Sequence, residues 1–120
     1  MIPMKQSSLC PKFEKGMQML GKRWTGLILY QLLEGPQRFC ALEGALPVSG
    51  RLLSERLKDL EKEGLVHREV FTDSAPVRVE YSLTQMGLAM EPVLKGIESW
   101  AQEWIVLDPK DPADCDRSND

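Results

Sequence analysis

Between Ser49 and Leu83 the apolar residues change their spacing, and the change falls at Gly64. Before it, Leu53, Leu57 and Leu60 recur four and three residues apart with Leu52 beside them, as on one face of a helix. After it, Val77, Val79, Tyr81 and Leu83 alternate, as on one face of a strand. Ser49 is placed to cap the helix, because its hydroxyl can accept a first-turn amide. Gly64 is placed to stop it, where a left-handed residue is common. Leu65 to Phe71 is rich in branched and aromatic residues, and Thr72 to Pro76 has turn chemistry. The segment is therefore expected to be a helix that feeds directly into a β-hairpin.

Three helices are expected before it. Cys10-Pro11 opens the first, since proline suits the first helical position. Phe13, Met17 and Leu20 follow at helical spacing, and Gly21 ends it. The second runs from about Trp24 to Glu34, with Trp24, Leu27, Ile28, Leu32 and Leu33 inward, and Gly35-Pro36 breaks it. The third covers Phe39 to Leu46, with Phe39, Leu42 and Leu46 inward, and Pro47 ends it. Two helices joined by the short turn at Pro47-Val48, the second polar on its outer side, make a helix-turn-helix pattern. With the hairpin behind it, the order is that of a winged helix-turn-helix.

Beyond the hairpin, Thr84 is expected to cap the last helix. Pro92 either kinks that helix or marks its real start. Val93, Ile97, Trp100 and Trp104 share one face, with Leu94 and Ala101 widening it. Two tryptophans on one face of a terminal helix are expected to be buried by a partner subunit.

The formal net charge of −3 argues against nucleic acid only until its distribution is seen. Val106 to Asp120 holds five Asp against one Lys and one Arg, which carries the whole imbalance. The remainder is neutral and can still present a local basic face to phosphate. No apolar run approaches the ~20 residues that span a bilayer. Met1 to Lys12 lacks the apolar core of a signal peptide. A cytoplasmic location without membrane contact is expected, and Met1 to Leu9 reads as a mobile arm.

The outward residues Arg51, Ser54 and Lys58 are the expected DNA-reading set. Arginine can grip guanine bidentately, and lysine can bind guanine or phosphate as a point charge. The alternative is a solvated face in which Glu55 and Asp59 pair with neighbouring lysines. Ser49 and Gly50 sit at the helix start, where a glycine either lets phosphate approach or simply makes the turn. Lys22 and Arg23 precede the second helix and either meet phosphate or form a solvated pair. Arg78, at the wing tip, is assigned to phosphate or minor-groove contact. Arg56 lies beside Leu57 and Leu60, and a structural ion pair is favoured over DNA contact.

Three cysteines, Cys10, Cys40 and Cys115, are too few and scattered for a disulfide scaffold. Cys10 lies at a helix N-terminus near Lys12 and Lys15, a setting that favours thiolate. It is either a reactive thiol or an inert one. Cys40 is expected in the core, and Cys115 is a candidate partner for an oxidised Cys10. His67, the one histidine, has no paired ligand spacing around it, so no metal is expected. No glycine-rich phosphate loop or catalytic constellation is evident, so neither a cofactor nor enzyme chemistry is expected.

Taken in order, these pieces resemble a known family. They are Cys10-Pro11, then Leu20-Gly21-Lys22-Arg23-Trp24, then Leu32 to Pro36 with Arg38-Phe39. Leu53 to Glu61, Gly64-Leu65-Val66 and Val79 to Thr84 complete the set. The chain is similar, over about Cys10 to Trp104, to the HxlR-type winged helix-turn-helix transcription regulators of bacteria, related to the MarR-like regulators. The resemblance implies a homodimer through the first and last helices, with two reading helices in successive major grooves. It also implies wings on the minor groove or backbone. Several members respond to electrophiles or oxidants through a cysteine near the first helix, the position of Cys10. Two departures stand out: Cys40 replaces a usual polar residue, and the wing Thr72 to Pro76 carries no positive charge of its own.

The expected fold class is thus α+β, a winged helix-turn-helix with N- and C-terminal dimerisation helices. The expected layout is an arm over 1–9, one domain over 10–107 and an acidic disordered tail over 108–120. The expected function is a dimeric repressor on a pseudo-palindromic double-stranded operator, with half-sites ~10 base pairs or a multiple apart. Oxidation or alkylation of Cys10 is its candidate switch. The alternatives are a thiol-based redox enzyme and a winged helix that binds only protein.

Overall fold

The computed structural model describes Cys10 to Asp73 and Ala75 to Asp108. The expected arm over 1–9, the tail beyond Asp108 and Cys115 lie outside the described residues. Packing divides the chain into two compact units, Met1–Ala89 and Met90–Asp120.

In the first unit, α1 spans Pro11–Leu20, with Cys10 as its extended N-cap and Pro11 in its first turn. Its sequence is amphipathic, yet none of its residues is buried. α2 spans Thr25–Leu32 and buries Thr25, Ile28, Leu29 and Leu32. Ile28 and Leu32 are inward as expected, whereas Leu27 is 52% exposed and Leu33 half-buried, and Thr25 and Leu29 take the remaining inward places. Trp24 stands outside the helix as its N-cap in a left-handed conformation, φ 77°. The helix therefore starts one residue later, and Thr25 rather than Trp24 opens the buried row. A left-handed backbone costs a bulky L-residue about 1–2 kcal/mol, so the neighbours of Trp24 must hold it there.

After Gly35, β1 (Gln37–Arg38) pairs antiparallel with a later strand. Two residues are too few to show alternation, so no strand is expected there from sequence. α3 spans Phe39–Ala45 and buries Leu42. It ends one residue earlier than expected, with Leu46 already extended. Cys40 is exposed, against the expectation of a core thiol. Leu42 is the one buried residue of α3, with Phe39 half-buried beside it, and Cys40 falls off that row.

α4 spans Gly50–Lys62. The Ser49 hydroxyl accepts the Leu52 amide at 3.1 Å. Leu53, Leu57 and Leu60 are the buried stripe, each contributing roughly 1.5–3 kcal/mol by leaving water. The helix stops by a double backbone closure. Gly64 N–H donates to the Glu61 carbonyl at 3.1 Å and Leu65 N–H to that of Leu60 at 2.9 Å, with Gly64 left-handed at φ 86°. Leu60 and Leu65 are both buried there, which closes the end with an apolar contact.

β2 (Val66–Phe71) and β3 (Arg78–Leu83) form the wing, and the sheet order is β1-β3-β2. Val66 faces Leu83, Arg68 faces Tyr81 and Val70 faces Val79. These pairs share one face of the sheet, as the alternation of Val79, Tyr81 and Leu83 predicts. Val77 precedes the strand and is 56% exposed, so it does not join that face. α4 packs on β2, while α2 and α3 pack on β3. Thr84 caps not the last helix but a short one, α5 (Gln85–Leu88).

In the second unit, α6 spans Glu91–Trp104, with Pro92 in its first turn. Pro92 therefore marks the true start. Leu94 is buried, whereas Val93, Ile97, Trp100 and Trp104 are exposed. Among the described residues no helix is long and apolar enough to cross a membrane.

Candidate nucleic-acid interface

α4 presents a polar face opposite its leucines. Arg51 is 90% exposed, and its Nε lies 3.9 Å from Glu55 Oε2 one turn on. An exposed pair of this kind contributes about 0.3–0.5 kcal/mol, so the guanidinium is readily released to a stronger partner. Lys58 and Lys62 are exposed, and among the described residues no carboxylate pairs with either. Ser54 lies half-buried between Arg51 and Lys58. Arg51, Ser54 and Lys58 thus form one continuous row on a capped, rigid helix.

The remaining candidates divide. Ser49 is occupied as the N-cap. Gly50 lies beside the end of the Glu43 side chain of α3: a Cβ there would come 2.6 Å from Glu43 Oε2. The carboxylate already lies on the side where phosphate was expected to approach. Lys22 Nζ lies 3.7 Å from Asp59 Oδ2 and 3.9 Å from Glu63 Oε2. The Arg23 guanidinium stacks over the Trp24 ring at 4.8 Å. Both belong to the turn between α1 and α2 and face the α4 carboxylates or their own turn. Arg78 is also engaged. Its guanidinium lies 4.3 Å from the Phe71 ring centroid and its Nε 3.2 Å from Glu80 Oε2. That Nε is close enough for an ion pair, but it is not aligned for a hydrogen bond.

Arg56 takes the structural role. Its Nε donates to the Arg23 carbonyl at 2.9 Å and its Nη1 lies 3.5 Å from Asp59 Oδ2. Two basic residues outside the expected set also reach the surface. Arg38 caps α3 and Arg68 lies on β2; both are exposed, and no ion pair holds either among the described residues. Arg38 stands at the start of the first helix of the helix-turn-helix, directly before Phe39. His67 lies 3.8 Å from Glu69 along β2.

Two further surfaces bear on function. Cys10 is exposed at the α1 N-cap and its side chain makes no capping bond, while its carbonyl accepts the Glu14 amide at 3.0 Å. On α1, Phe13 and Met17 are 61% and 51% exposed. On α6, Trp100 and Trp104 are 57% and 68% exposed.

A first helix seated by Leu42, a short turn, a capped second helix with an outward basic row and a wing behind it define a winged helix-turn-helix DNA-binding regulator. The chain belongs to the HxlR-like helix-turn-helix family, whose model matches residues 19–109. It is similar to the HTH-type transcriptional regulator YvaP of Bacillus subtilis, 57% identical over 103 residues, covering 85% of this chain and 94% of that one. It is also similar to YodB of the same organism, 40% identical over 99 residues, covering 82% and 88%. The reduced form of YodB superposes with a TM-score of 0.73 over 86% of this chain and 99% of that one, at 40% identity. Its quinone-bound form superposes at 0.69 over 80% and 100%, at 39% identity. The redox regulator HypR in its reduced form superposes at 0.72 over 77% and 91%, at 33% identity.

Proposed function

We propose that the chain is a homodimeric repressor, acting in the cytoplasm, whose paired α4 helices read a pseudo-palindromic operator. The observation that carries this reading is the division of α4. Leu53, Leu57 and Leu60 are 0%, 1% and 1% exposed, while Arg51, held only by its exposed pair with Glu55, and Lys58 stand outward on the opposite side. A helix anchored so firmly can present base-reading groups without paying further ordering entropy. The exposed apolar rows of α1 and α6 support dimerisation, since such surface is normally covered. A two-fold dimer places two copies of α4 about 34–36 Å apart, one turn of DNA.

Cys10 is the proposed switch. It is an exposed thiol at the start of a helix whose own apolar row awaits a partner. The quinone-bound form of YodB supports a quinone or related electrophile as the effector class. Alkylation forms a bond from the Cys10 sulfur to the quinone ring, which becomes a hydroquinone. Oxidation by a two-electron oxidant such as diamide, which takes up both electrons and both thiol protons, would instead join Cys10 to a second thiol as a disulfide, with Cys115 as the candidate.

The test is retardation of DNA flanking the protein's own gene, across a salt series. Neutralised phosphates give a linear fall of log affinity with log salt. Arg51→Ala and Lys58→Ala are expected to weaken binding while the domain stays folded. Wild-type affinity in both variants removes α4 from the interface.

A further inference from the structure

The turn Gly21–Trp24 carries more interactions than a simple connection needs. Gly21 N–H closes on the Met17 carbonyl at 2.8 Å and Thr25 N–H on that of Lys22 at 3.2 Å. Between them Trp24 is held left-handed, a conformation an L-residue of this bulk keeps only when its surroundings impose it. Those surroundings come largely from α4. Arg56 reaches across 33 positions of sequence to bond the Arg23 carbonyl, the peptide oxygen directly before Trp24. Asp59 Oδ2 receives both Arg56 Nη1 and Lys22 Nζ, and Glu63 receives Lys22 from one turn further on.

The geometry has a direction. Arg56, Asp59 and Glu63 lie three and four residues apart on one side of α4. That side differs from the outward row of Arg51, Ser54 and Lys58. Arg56 is 21% exposed, and its donors are directed at protein acceptors. The stripe Leu53, Leu57, Leu60 resists removal of α4 from the core, but apolar contacts alone do not set its rotation closely, because they are not directional. A charge-assisted hydrogen bond to a fixed carbonyl is directional and among the stronger kinds.

We infer that Arg56 is a positioning residue for DNA recognition: it fastens α4 to the Gly21–Trp24 turn and so sets the angle at which the reading row stands relative to α1. This rests on the reading of α4 as the DNA-contacting helix. It assigns Arg56 no contact with DNA. Any change in α1 reaches the reading helix first through this turn.

The experiment uses the full chain and the operator fragment mapped by protection upstream of its gene. Wild type, Arg56→Met, Arg56→Lys and Lys58→Ala are compared in affinity across a salt series, with thermal melting alongside. Arg56→Met keeps much of the stem and removes every donor. It is expected to lose about tenfold or more in affinity while the salt slope stays at the wild-type value, because no phosphate contact is removed. Arg56→Lys can satisfy the carbonyl or Asp59 but not both, so an intermediate loss is expected. Should the methionine variant fail to fold, the lysine variant carries the test by itself. Wild-type affinity in the folded variants overturns the inference. So does a loss accompanied by a salt slope lower by about one, which marks a direct phosphate contact. If Lys58→Ala weakens binding and the Arg56 variants do not, the positioning role alone fails. If wild type shows no salt-dependent binding, the reading of α4 fails and the inference with it.

Discussion

The Thr84 hydroxyl donates to the Gly64 carbonyl at 2.5 Å and accepts the Gly87 amide at 3.1 Å. One side chain thereby ties the end of α4 to the end of the wing. Thr84→Val keeps the shape and removes both bonds. It is expected to destabilise the protein by about 1–2 kcal/mol, the usual cost of losing a cap. For a domain of this size that lowers the melting temperature by roughly 4–8 °C per kcal/mol. Thr84→Ser keeps the hydroxyl and is expected to lose clearly less. A serine variant as unstable as the valine one would place the effect in the methyl group instead.

Gly87 is buried, and a Cβ added there would run into the backbone carbonyl of Leu65 and the Leu83 side chain. Backbone cannot step aside cheaply, so Gly87→Ala is expected to cost about 1–3 kcal/mol. Gly50→Ala makes a comparable clash on paper, but with the free end of Glu43. That carboxylate can swing away, so a change within roughly 0.5 kcal/mol is expected. Chemical denaturation of the two variants side by side checks the ordering.

α4 is the most legible part of the chain. Its period, its Ser49 cap and its Gly64 stop are all local signals, and each corresponds to a bond in the structure. The wing followed from alternation and turn residues. What failed to show were features that depend on distant atoms. Nothing in its residue type marks Trp24 as left-handed, so the sequence pattern starts α2 one residue early, although it places Ile28 and Leu32 inward correctly. β1 is too short for any pattern. Cys40 is outward although the bounds of α3 match the sequence pattern to one residue, because only Leu42 of that helix is drawn into the core. Arg56 shows its Asp59 neighbour three positions on, but its main partner is a carbonyl that every residue possesses. The candidate DNA residues divided on the same principle. Arg51 and Lys58 are outward by their period alone. The surroundings of Lys22, Arg23 and Arg78 are set by tertiary neighbours.

Arg51 and Lys58 should differ in kind. A bidentate arginine contact discriminates by about 1–3 kcal/mol against a wrong base. Arg51→Ala is therefore expected to weaken the operator more than unrelated DNA. Lys58→Ala, as loss of a point charge at phosphate, is expected to weaken all sequences alike and to lower the salt slope by about one. Glu55→Gln removes the 3.9 Å partner of Arg51 and a negative charge from the reading face. It is expected to raise affinity for any DNA. Competition assays with operator and scrambled fragments separate the three behaviours.

The exposed row of α6 makes oligomeric state the next measurable quantity. Trp100 and Trp104 together expose more aromatic surface than a folded chain normally leaves to water. Sedimentation is expected to show a dimer for wild type. Trp100→Glu is expected to weaken association by about 2 kcal/mol or more, roughly thirtyfold, as for an aromatic anchor. Because the side chain is on the surface of the described protomer, melting of the dilute variant should change little. Operator affinity should fall with the dimer, since a single half-site keeps only half of the contacts. A variant that remains dimeric would move the interface away from this face.

Cys10 can be tested without confusing chemistry with folding. It occupies the N-cap of α1 and makes no side-chain cap there. Serine is a preferred N-cap residue, so Cys10→Ser is expected to be as stable as wild type and to bind DNA equally well. Quinone or diamide is expected to release wild type from the operator and to leave Cys10→Ser bound. Cys40 supplies the control, being an exposed thiol on a different helix. Cys40→Ser is expected to respond as wild type does. Intact mass after brief quinone treatment should show an adduct that Cys10→Ser lacks. Release that is equal in wild type and Cys10→Ser would remove Cys10 as the switch. Release lost in Cys40→Ser alone would transfer the role to the helix-turn-helix itself, where α3 carries its thiol beside Arg38.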